Sequence, residues 1–151
     1  MATKLKLAPW SPSEHDETAI VVSWAAEMVA WAKFPELAGL YGIPNCTLLA
    51  GDYRHRAIQM ARLKAEGLRP GVPDLCLPIA RRGFQALYIE QKSTRKGAVA
   101  SDEQIEWRRW LNTHGNHAAI CIGAKQSIEL LLWYVGDGAT IYPKGVLENG
   151  F

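Results

Sequence analysis

The segment from residue 74 to residue 92 constrains the fold most, because two short apolar runs are joined there by a polar turn. Residues 74–79 read Asp-Leu-Cys-Leu-Pro-Ile, residues 86–92 read Ala-Leu-Tyr-Ile-Glu-Gln-Lys, and Arg81-Arg82-Gly83 lies between them. Apolar runs of this length, bounded by turn residues, are typical of strands. A connection this short predicts that the two strands pair with each other.

Helical patterns flank this strand pair. Ser13 has the character of a helix cap, and the apolar residues after it recur every three or four positions. We expect them to form one buried stripe: Ile20, Val21, Trp24, Ala25, Met28 and Trp31. Predicted helices span 13–33, 53–66, 101–115 and 127–135, a third strand spans 118–122, and 39–51 is a loop.

The resulting order, α-α-β-β-α-β-α, predicts the α/β class with a central mixed sheet flanked by helices. The crossover from the second strand through a helix to the third should be right-handed, which makes that pair parallel. With 151 residues, of which 48% are hydrophobic, the chain is long enough for one domain, 1–151, and too short for two.

Composition and targeting signals exclude several classes of protein. The three cysteines lie far apart, so neither a disulfide framework nor a zinc ribbon is expected. No apolar run approaches the roughly 20 residues that span a bilayer, and residues 1–9 lack the apolar core of a signal peptide. We therefore expect a cytoplasmic protein with no membrane partner.

Charge is concentrated in the middle of the chain. Residues 51–100 carry ten basic and four acidic side chains, whereas each flanking third carries an excess of acid. Such a basic centre suits a surface that faces a polyanion, since Lys and Arg near phosphates release counterions. On charge alone, a solvated helix face is an equally good interpretation.

The polar residues of the strand pair suggest chemistry. Asp74 opens one strand, and Glu90, Gln91 and Lys92 end the next. Because strand side chains alternate between faces, Glu90 and Lys92 share a side and Gln91 points away. If the strands pair, Asp74 can reach Glu90. Two converging carboxylates repel each other unless a hard cation lies between them, and Mg²⁺ fits that need, with the Gln91 carbonyl as a further ligand.

Lys92 lies beside this predicted site. Its ammonium group could hold the attacking water or neutralise the charge of a phosphorane-like transition state. Carboxylates, metal and lysine together indicate metal-assisted hydrolysis of a phosphodiester. The simpler alternative is that Glu90 is a surface strand residue paired with Lys92.

Three motifs carry a resemblance: Arg-Pro-Gly-Val-Pro-Asp-Leu at 69–75, Leu-Tyr-Ile-Glu-Gln-Lys at 87–92, and Ser-x-x-Gln-x-x-Trp at 101–107. Together they resemble the VRR-NUC family of the PD-(D/E)XK nuclease superfamily, in its short stand-alone phage and bacterial form. Ile43-Pro44-Asn45, Leu63-Lys-Ala-Glu-Gly67 and Ser13-Glu14-His15 also match. The similarity covers about residues 13–135, which leaves 136–151 as a C-terminal tail.

The resemblance implies a restriction-endonuclease-like core, dependence on Mg²⁺ or Mn²⁺, and hydrolysis of DNA in a bacterial or phage-infected cell. By position, Asp74 and Glu90 match the metal carboxylates, Lys92 matches the lysine, and Gln104 matches a glutamine near the site. The first-helix glutamate of the family falls best on Glu14. Glu17 is its rival, and Thr18 stands where relatives often have glutamine. Glu14 could instead merely favour the helix dipole.

The substrate and the assembly follow from the same resemblance. A homodimer would place two sites on two strands, so branched DNA, such as a Holliday junction or a flap, is the expected substrate. The residues expected to hold the DNA backbone are Arg54, Arg56, Arg62, Lys64, Arg69, Arg95 and Lys96. The alternatives are a catalytically inactive nucleic-acid-binding module and an assembly module of the same fold.

Other aromatic and histidine residues are expected to be structural. Trp24, Trp31, Trp107 and Trp110 lie at helical spacings, for which core packing is the default. His114 and His117 lack a third ligand nearby and are not expected to bind metal. The apolar run 130–134 suggests either a subunit contact or a buried helix.

Overall fold

The computed structural model describes residues 11–44, 51–136 and 140–146. In these residues it contains the helices and strands α1 (Glu14–Ala30), β1 (Tyr41–Gly42), α2 (Tyr53–Ala65), β2 (Leu75–Leu77), β3 (Leu87–Lys92), α3 (Asp102–Thr113), β4 (His117–Ile122) and α4 (Gly123–Val135). The predicted α/β class and order are confirmed, with two additions, β1 and a 3-10 helix at Pro35–Gly39. None of the helices described is long and apolar enough to cross a bilayer.

Two predicted segments are only partly covered by these residues. Of the predicted loop 39–51, residues 45–50 lie outside the described part of the chain, as does Asn45 of the Ile-Pro-Asn motif. Of the predicted tail, residues 140–146 are described, and they form a turn and no strand. Val146 is nevertheless buried in the core, so this part of the tail packs on the domain.

The sheet has the order β1-β2-β3-β4. The first three strands pair antiparallel, and β4 pairs parallel to β3, as the crossover through α3 predicts. Leu75 lies opposite Ile89, which lies beside Ala119. Because side chains alternate along a strand, this register places those three residues on one face and Asp74 and Glu90 on the other.

Helices α1 and α4 cover the apolar face of the sheet. Most of the buried side chains of this core come from the sheet (Leu75, Leu77, Leu87, Ile89, Ala119, Cys121), from α1 (Val21, Ala25, Met28) and from α4 (Leu130, Leu131, Tyr134). Most of the apolar run 130–134 is thus used for packing within the chain. Helix α3 packs on β4, and its first turn reaches the polar face of the sheet through Gln104.

The predicted burial of two tryptophans and an isoleucine is wrong. Trp31 is 61% exposed because it follows the end of α1, and Ile20 is exposed because the buried stripe of α1 runs through Glu17, Val21, Ala25 and Met28 instead. Trp110 is also exposed, on the outer side of α3, where its ring stacks on His114 with centroids 4.1 Å apart. The three- and four-residue spacing alone did not distinguish the buried face of each helix from the exposed positions at the border of that face.

His117, the first residue of β4, is enclosed by aromatic rings. Its ring centroid lies 4.8 Å from that of Phe84 and 5.2 Å from that of Trp133, and its Nε2 lies 3.2 Å from the Tyr142 hydroxyl. Burial disfavours the imidazolium form and lowers the pKa of His117 to about 4. No group of three His, Cys, Asp or Glu side chains suited to a metal occurs in the described residues.

We expect His117 to make the protein less stable in mild acid. The pKa of about 4 lies below the ordinary value of 6.5, so the unfolded chain binds the proton first as the pH falls. The contribution is fully present above pH 6.5 and is lost as the pH falls to 4, by at most about 3 kcal/mol in the free energy of unfolding. Urea unfolding between pH 7 and pH 4 measures it. His117→Gln should show a shallower loss than the wild type, and equal slopes would contradict the prediction.

Candidate active site

An open cleft of about 730 Å³ lies where four segments meet: the start of α1, the loop before β2, the end of β3 and the start of α3. Its walls include Glu14, Asp74, Glu90 and Gln104. All four were predicted site residues that are far apart in the sequence. The structure therefore brings the predicted catalytic and metal-binding side chains to one place, and their chemical roles stay predictions.

The strand register brings Asp74 and Glu90 together. Since Leu75 lies opposite Ile89 in the antiparallel pair, Asp74 lies opposite Glu90, and opposite residues share a face. Asp74 Oδ2 accepts a hydrogen bond from the Gln91 backbone N–H at 2.9 Å, which ties the carboxylate to β3. The Asp74 carbonyl accepts from the Ile43 N–H at 2.7 Å, which continues the pairing toward β1.

Both acids are harder to ionise than usual. Burial, followed by the negative charge of Asp74, raises the pKa of Glu90 to about 7. Burial is also the main cause that raises the pKa of Asp74. The two residues lie opposite each other across the strand pair, and the negative charge of Asp74 disfavours ionisation of Glu90. A divalent cation bound between two neighbouring carboxylates would offset the repulsion between their negative charges.

Glu90 has one satisfied and one unsatisfied oxygen. The side chain is only 3% exposed. Its Oε1 accepts hydrogen bonds from Gln104 Nε2 and from Lys92 Nζ, the latter at 3.0 Å. Its Oε2 is buried, and no donor among the described residues reaches it. A buried carboxylate oxygen without a donor is costly, and a ligand that supplies positive charge would remove the cost.

Lys92 is a buried cation in contact with acids. Its Nζ lies 3.0 Å from Glu90 Oε1 and 3.5 Å from Glu14 Oε1. Burial lowers the pKa of Lys92, but the hydrogen bond and charge of Glu90, with the charges of Glu14 and Asp74, outweigh burial and raise it. The ammonium group therefore stays protonated at neutral pH.

Gln104 both caps a helix and binds Glu90. Ser101 and Gln104 form a capping box at the start of α3, in which Gln104 Oε1 accepts from the Ser101 N–H at 2.8 Å. The Nε2 group remains available and donates to Glu90. The loop before β2 approaches this turn closely at Gly71, where a Cβ would lie 2.5 Å from the Glu103 carbonyl carbon. Only glycine fits there, with its φ of +80°.

The Gln91 side chain points away from the cleft, as the alternation predicts. It is fully buried, its Nε2 donates to the Lys92 carbonyl at 2.9 Å, and its Oε1 accepts from the Ser127 hydroxyl at 2.6 Å. These bonds fix the end of β3 against α4. Only the backbone carbonyl of Gln91 remains as a predicted metal ligand.

Glu14 and Glu17 lie one turn apart on α1 but serve different contacts. Glu14 is half-exposed and lies beside Lys92 in the cleft. Glu17 is 4% exposed, and its carboxylate accepts from the Ala124 N–H at 2.7 Å and from the Thr94 hydroxyl at 3.1 Å. Glu17 therefore caps the start of α4. Its cap residue, Ile122, offers no side-chain hydrogen bond, and this is the signal by which a distant cap could have been anticipated.

The predicted DNA-contacting residues are not all in one place. Arg95 and Lys96 line the cleft, although Arg95 also donates two hydrogen bonds to the Ser11 carbonyl. The basic residues of α2 are exposed and point to different sides, since Arg54 and Arg56 are separated by about 200° of helical rotation. The others, Arg62, Lys64 and Arg69, are also exposed. The basic residues of α2 therefore do not all face one side of the helix.

The donor set of the cleft fits a divalent cation that completes its ligands with water and phosphate. In the described residues no cluster of three or more His, Cys, Asp or Glu side chains forms a closed metal cage. Asp74 and Glu90 supply two carboxylates, and Glu90 Oε2 is buried without a hydrogen-bond donor among the described residues. Mg²⁺ in proteins is commonly held by one or two carboxylates together with substrate phosphates, so two acids are sufficient.

Comparisons with known proteins agree with this fold. A family model for the VRR-NUC domain matches residues 11–125. A solved structure described as a VRR_NUC domain protein superposes with a TM-score of 0.66 at 23% sequence identity, over 89% of this chain and all of that chain. That likeness shows a shared fold. No curated protein sequence matches the chain.

Proposed function

The chain belongs to the VRR-NUC family of nuclease domains, and on that basis we propose that it is a divalent-metal-dependent DNA endonuclease. The observation that carries this proposal is the pair of buried acids, Asp74 and Glu90, with an orphaned carboxylate oxygen and the Lys92 ammonium beside them. If Glu90 were only a surface strand residue paired with Lys92, its carboxylate would not need to be buried. During phosphodiester hydrolysis negative charge develops on the phosphate. The Lys92 ammonium group and a cation held by the two acids would stabilise that charge in this cleft.

Asp74 and Glu90 are the residues that would hold the cation, with Glu14 and the Gln91 carbonyl as further candidate ligands. When bound, Mg²⁺ or Mn²⁺ supplies Lewis-acid polarisation of the phosphate and a lower pKa for a coordinated water. Gln104 orients the Glu90 carboxylate through its Nε2 hydrogen bond. Its position in a capping box keeps the amide from rotating away.

Lys92 supplies the positive charge that the chain itself contributes. The ammonium group is buried, protonated and held by two glutamates, so it needs no rearrangement when negative charge develops on the phosphate. It either holds the attacking water or stabilises the pentacovalent transition state. Arg95 and Lys96 lie on the wall of the same cleft, where they would contact the DNA backbone.

We further propose that the substrate is branched DNA, such as a Holliday junction or flap, and that the protein acts as a homodimer. Small members of this family resemble enzymes of that kind. A two-fold symmetric pair would present two equal clefts to two strands. The described residues contain no separate base-reading module, which supports selection by DNA structure over selection by sequence.

Cleavage of a panel of DNA substrates tests the proposed function. We expect purified protein to cut a four-way junction or a flap in Mg²⁺ or Mn²⁺ faster than the matched linear duplex, and not to cut in EDTA. Binding in Ca²⁺ without cleavage in any active metal would instead favour an inactive DNA-binding module. Absence of both binding and cleavage would favour an assembly module, and sedimentation velocity would then test self-association.

A further inference from the structure

Three cross-strand neighbours form a row on the polar face of the sheet. Tyr41 of β1 lies opposite Cys76 of β2, and Cys76 lies opposite Tyr88 of β3. Opposite residues in antiparallel pairs project to the same face. We call these three residues the tyrosine row. None of them belongs to the site described above.

The tyrosine row lies directly beside the two acids. Cys76 lies two residues after Asp74, which immediately precedes β2, and Tyr88 lies two residues before Glu90 on β3. The tyrosine row and the acid pair therefore project from the same face. Two residues along a strand correspond to roughly 7 Å. The basic loop residues Arg95 and Lys96 therefore lie on one side of the acid pair, beyond the end of β3. The tyrosine row lies on the other side.

The two tyrosines of the row are more exposed than the cysteine between them. Tyr41 is 50% exposed and Tyr88 is half-buried, whereas Cys76 is buried. The neighbouring Cys76 side chain is the main cause that raises the pKa of Tyr41 to about 12. A phenol ionises only near pH 10, so both tyrosines of the row are neutral at physiological pH.

We propose that the tyrosine row is a DNA-contacting surface, on which the strand held at Asp74 and Glu90 continues across the sheet. The inference rests on the proposed function and adds the path of the substrate. A strand that passes the acids in this direction must cross the neighbouring row, because the two rows share one face. Tyrosine suits this place since its hydroxyl donates to phosphate oxygens and its ring packs on sugars and bases.

A neutral surface leaves a distinct signature in binding. Contacts from Lys or Arg release counterions and steepen the salt dependence of affinity, whereas contacts from phenols do not. Loss of Tyr41 should therefore weaken binding without changing the slope of log affinity against log salt. We expect about a tenfold rise in Kd for Tyr41→Ala and about a twofold to fivefold rise for Tyr41→Phe.

Fluorescence anisotropy with labelled junction DNA in Ca²⁺, repeated across salt concentrations, measures these values without cleavage. Trp31→Ala is the matched control, because Trp31 is also an exposed aromatic residue but lies at the far end of α1. The Kd of this variant should equal that of the wild type. Lys96→Ala should lower the salt slope. In Mg²⁺, the Tyr41 variants should raise KM more than they lower kcat.

Two results would overturn the tyrosine row as a DNA surface. One is an unchanged Kd for Tyr41→Ala and Tyr88→Phe. The other is a change in oligomeric state by sedimentation velocity at unchanged Kd, which would make the row a contact between copies of the chain. If Tyr41→Ala does not fold, Tyr41→Phe and Tyr88→Phe retain the rings and carry the test. Failure of the proposed function is distinguishable, because a wild type that binds DNA but never cuts still reports on the row.

Discussion

Replacing Lys92 by methionine is expected to lower the rate of DNA cleavage by at least about 100-fold, with substrate binding largely kept. Methionine retains the unbranched apolar stem, so the change removes the buried ammonium group and little packing. Negative charge that develops on the phosphate would then lose its fixed counter-charge at the Glu90 side of the cleft. Single-turnover cleavage of junction DNA in Mg²⁺, with Kd measured in Ca²⁺, separates the chemical step from binding.

The matched control for this loss is Lys125→Met. Lys125 is an exposed lysine of α4, outside the cleft, and among the described residues its ion pair is a surface one with Glu129 at 3.7 Å. The same change of residue type should leave cleavage near the wild-type rate. A Lys92→Met variant that folds and cleaves at the wild-type rate would show that the buried ammonium group is structural, and the role assigned to it would be wrong. A similar loss of cleavage in Asp74→Ala would support the role proposed for the acid pair.

Replacing Glu17 by alanine is expected to destabilise the fold by about 2–4 kcal/mol in the free energy of unfolding. The change removes the carboxylate that accepts from the Ala124 N–H and from the Thr94 hydroxyl, and it leaves a cavity in a buried position. The first turn of α4 would lose its only described side-chain cap other than Gln126, which binds the Ile122 N–H. Urea unfolding followed by circular dichroism measures the loss.

Two glutamates on the same helix serve as controls for Glu17. Glu27 is exposed in the last turn of α1, so Glu27→Ala should leave stability within about 0.5 kcal/mol of the wild type. Glu14→Ala should have a small effect on stability and a larger one on cleavage, because Glu14 contacts Lys92. If Glu14→Ala destabilised the fold more than Glu17→Ala, the division of roles between them would be reversed.

These two predictions rest on different kinds of buried charge. Lys92 and Glu90 form a pair that faces the cleft, and their burial costs stability in exchange for a fixed electrostatic environment. Glu17 is buried away from that pair and has its carboxylate satisfied by donors from two other segments. A change in one should therefore alter activity, and a change in the other should alter folding.

Much of the fold could be predicted because its signals are local. Ser13 and Ser101 both cap helices where the sequence placed them, and each forms a capping box. The two strands lie within the predicted segments, and their alternation placed Glu90 and Lys92 on one side and Gln91 on the other. The start of α4 at Gly123 was missed by four residues, because its cap comes from a residue 107 positions away.

Local periodicity determined the elements of this protein and the direction of each side chain within its own element, since helix and strand geometry repeat over a few residues. The convergence of Asp74, Glu90 and Lys92 followed from that periodicity together with the short turn. The tertiary structure alone decided what each face meets. It separated Glu14 from Glu17, exposed Trp31 and Trp110, and placed the Gln104 amide on Glu90. Those outcomes depend on contacts between segments far apart in the chain, which no local pattern encodes.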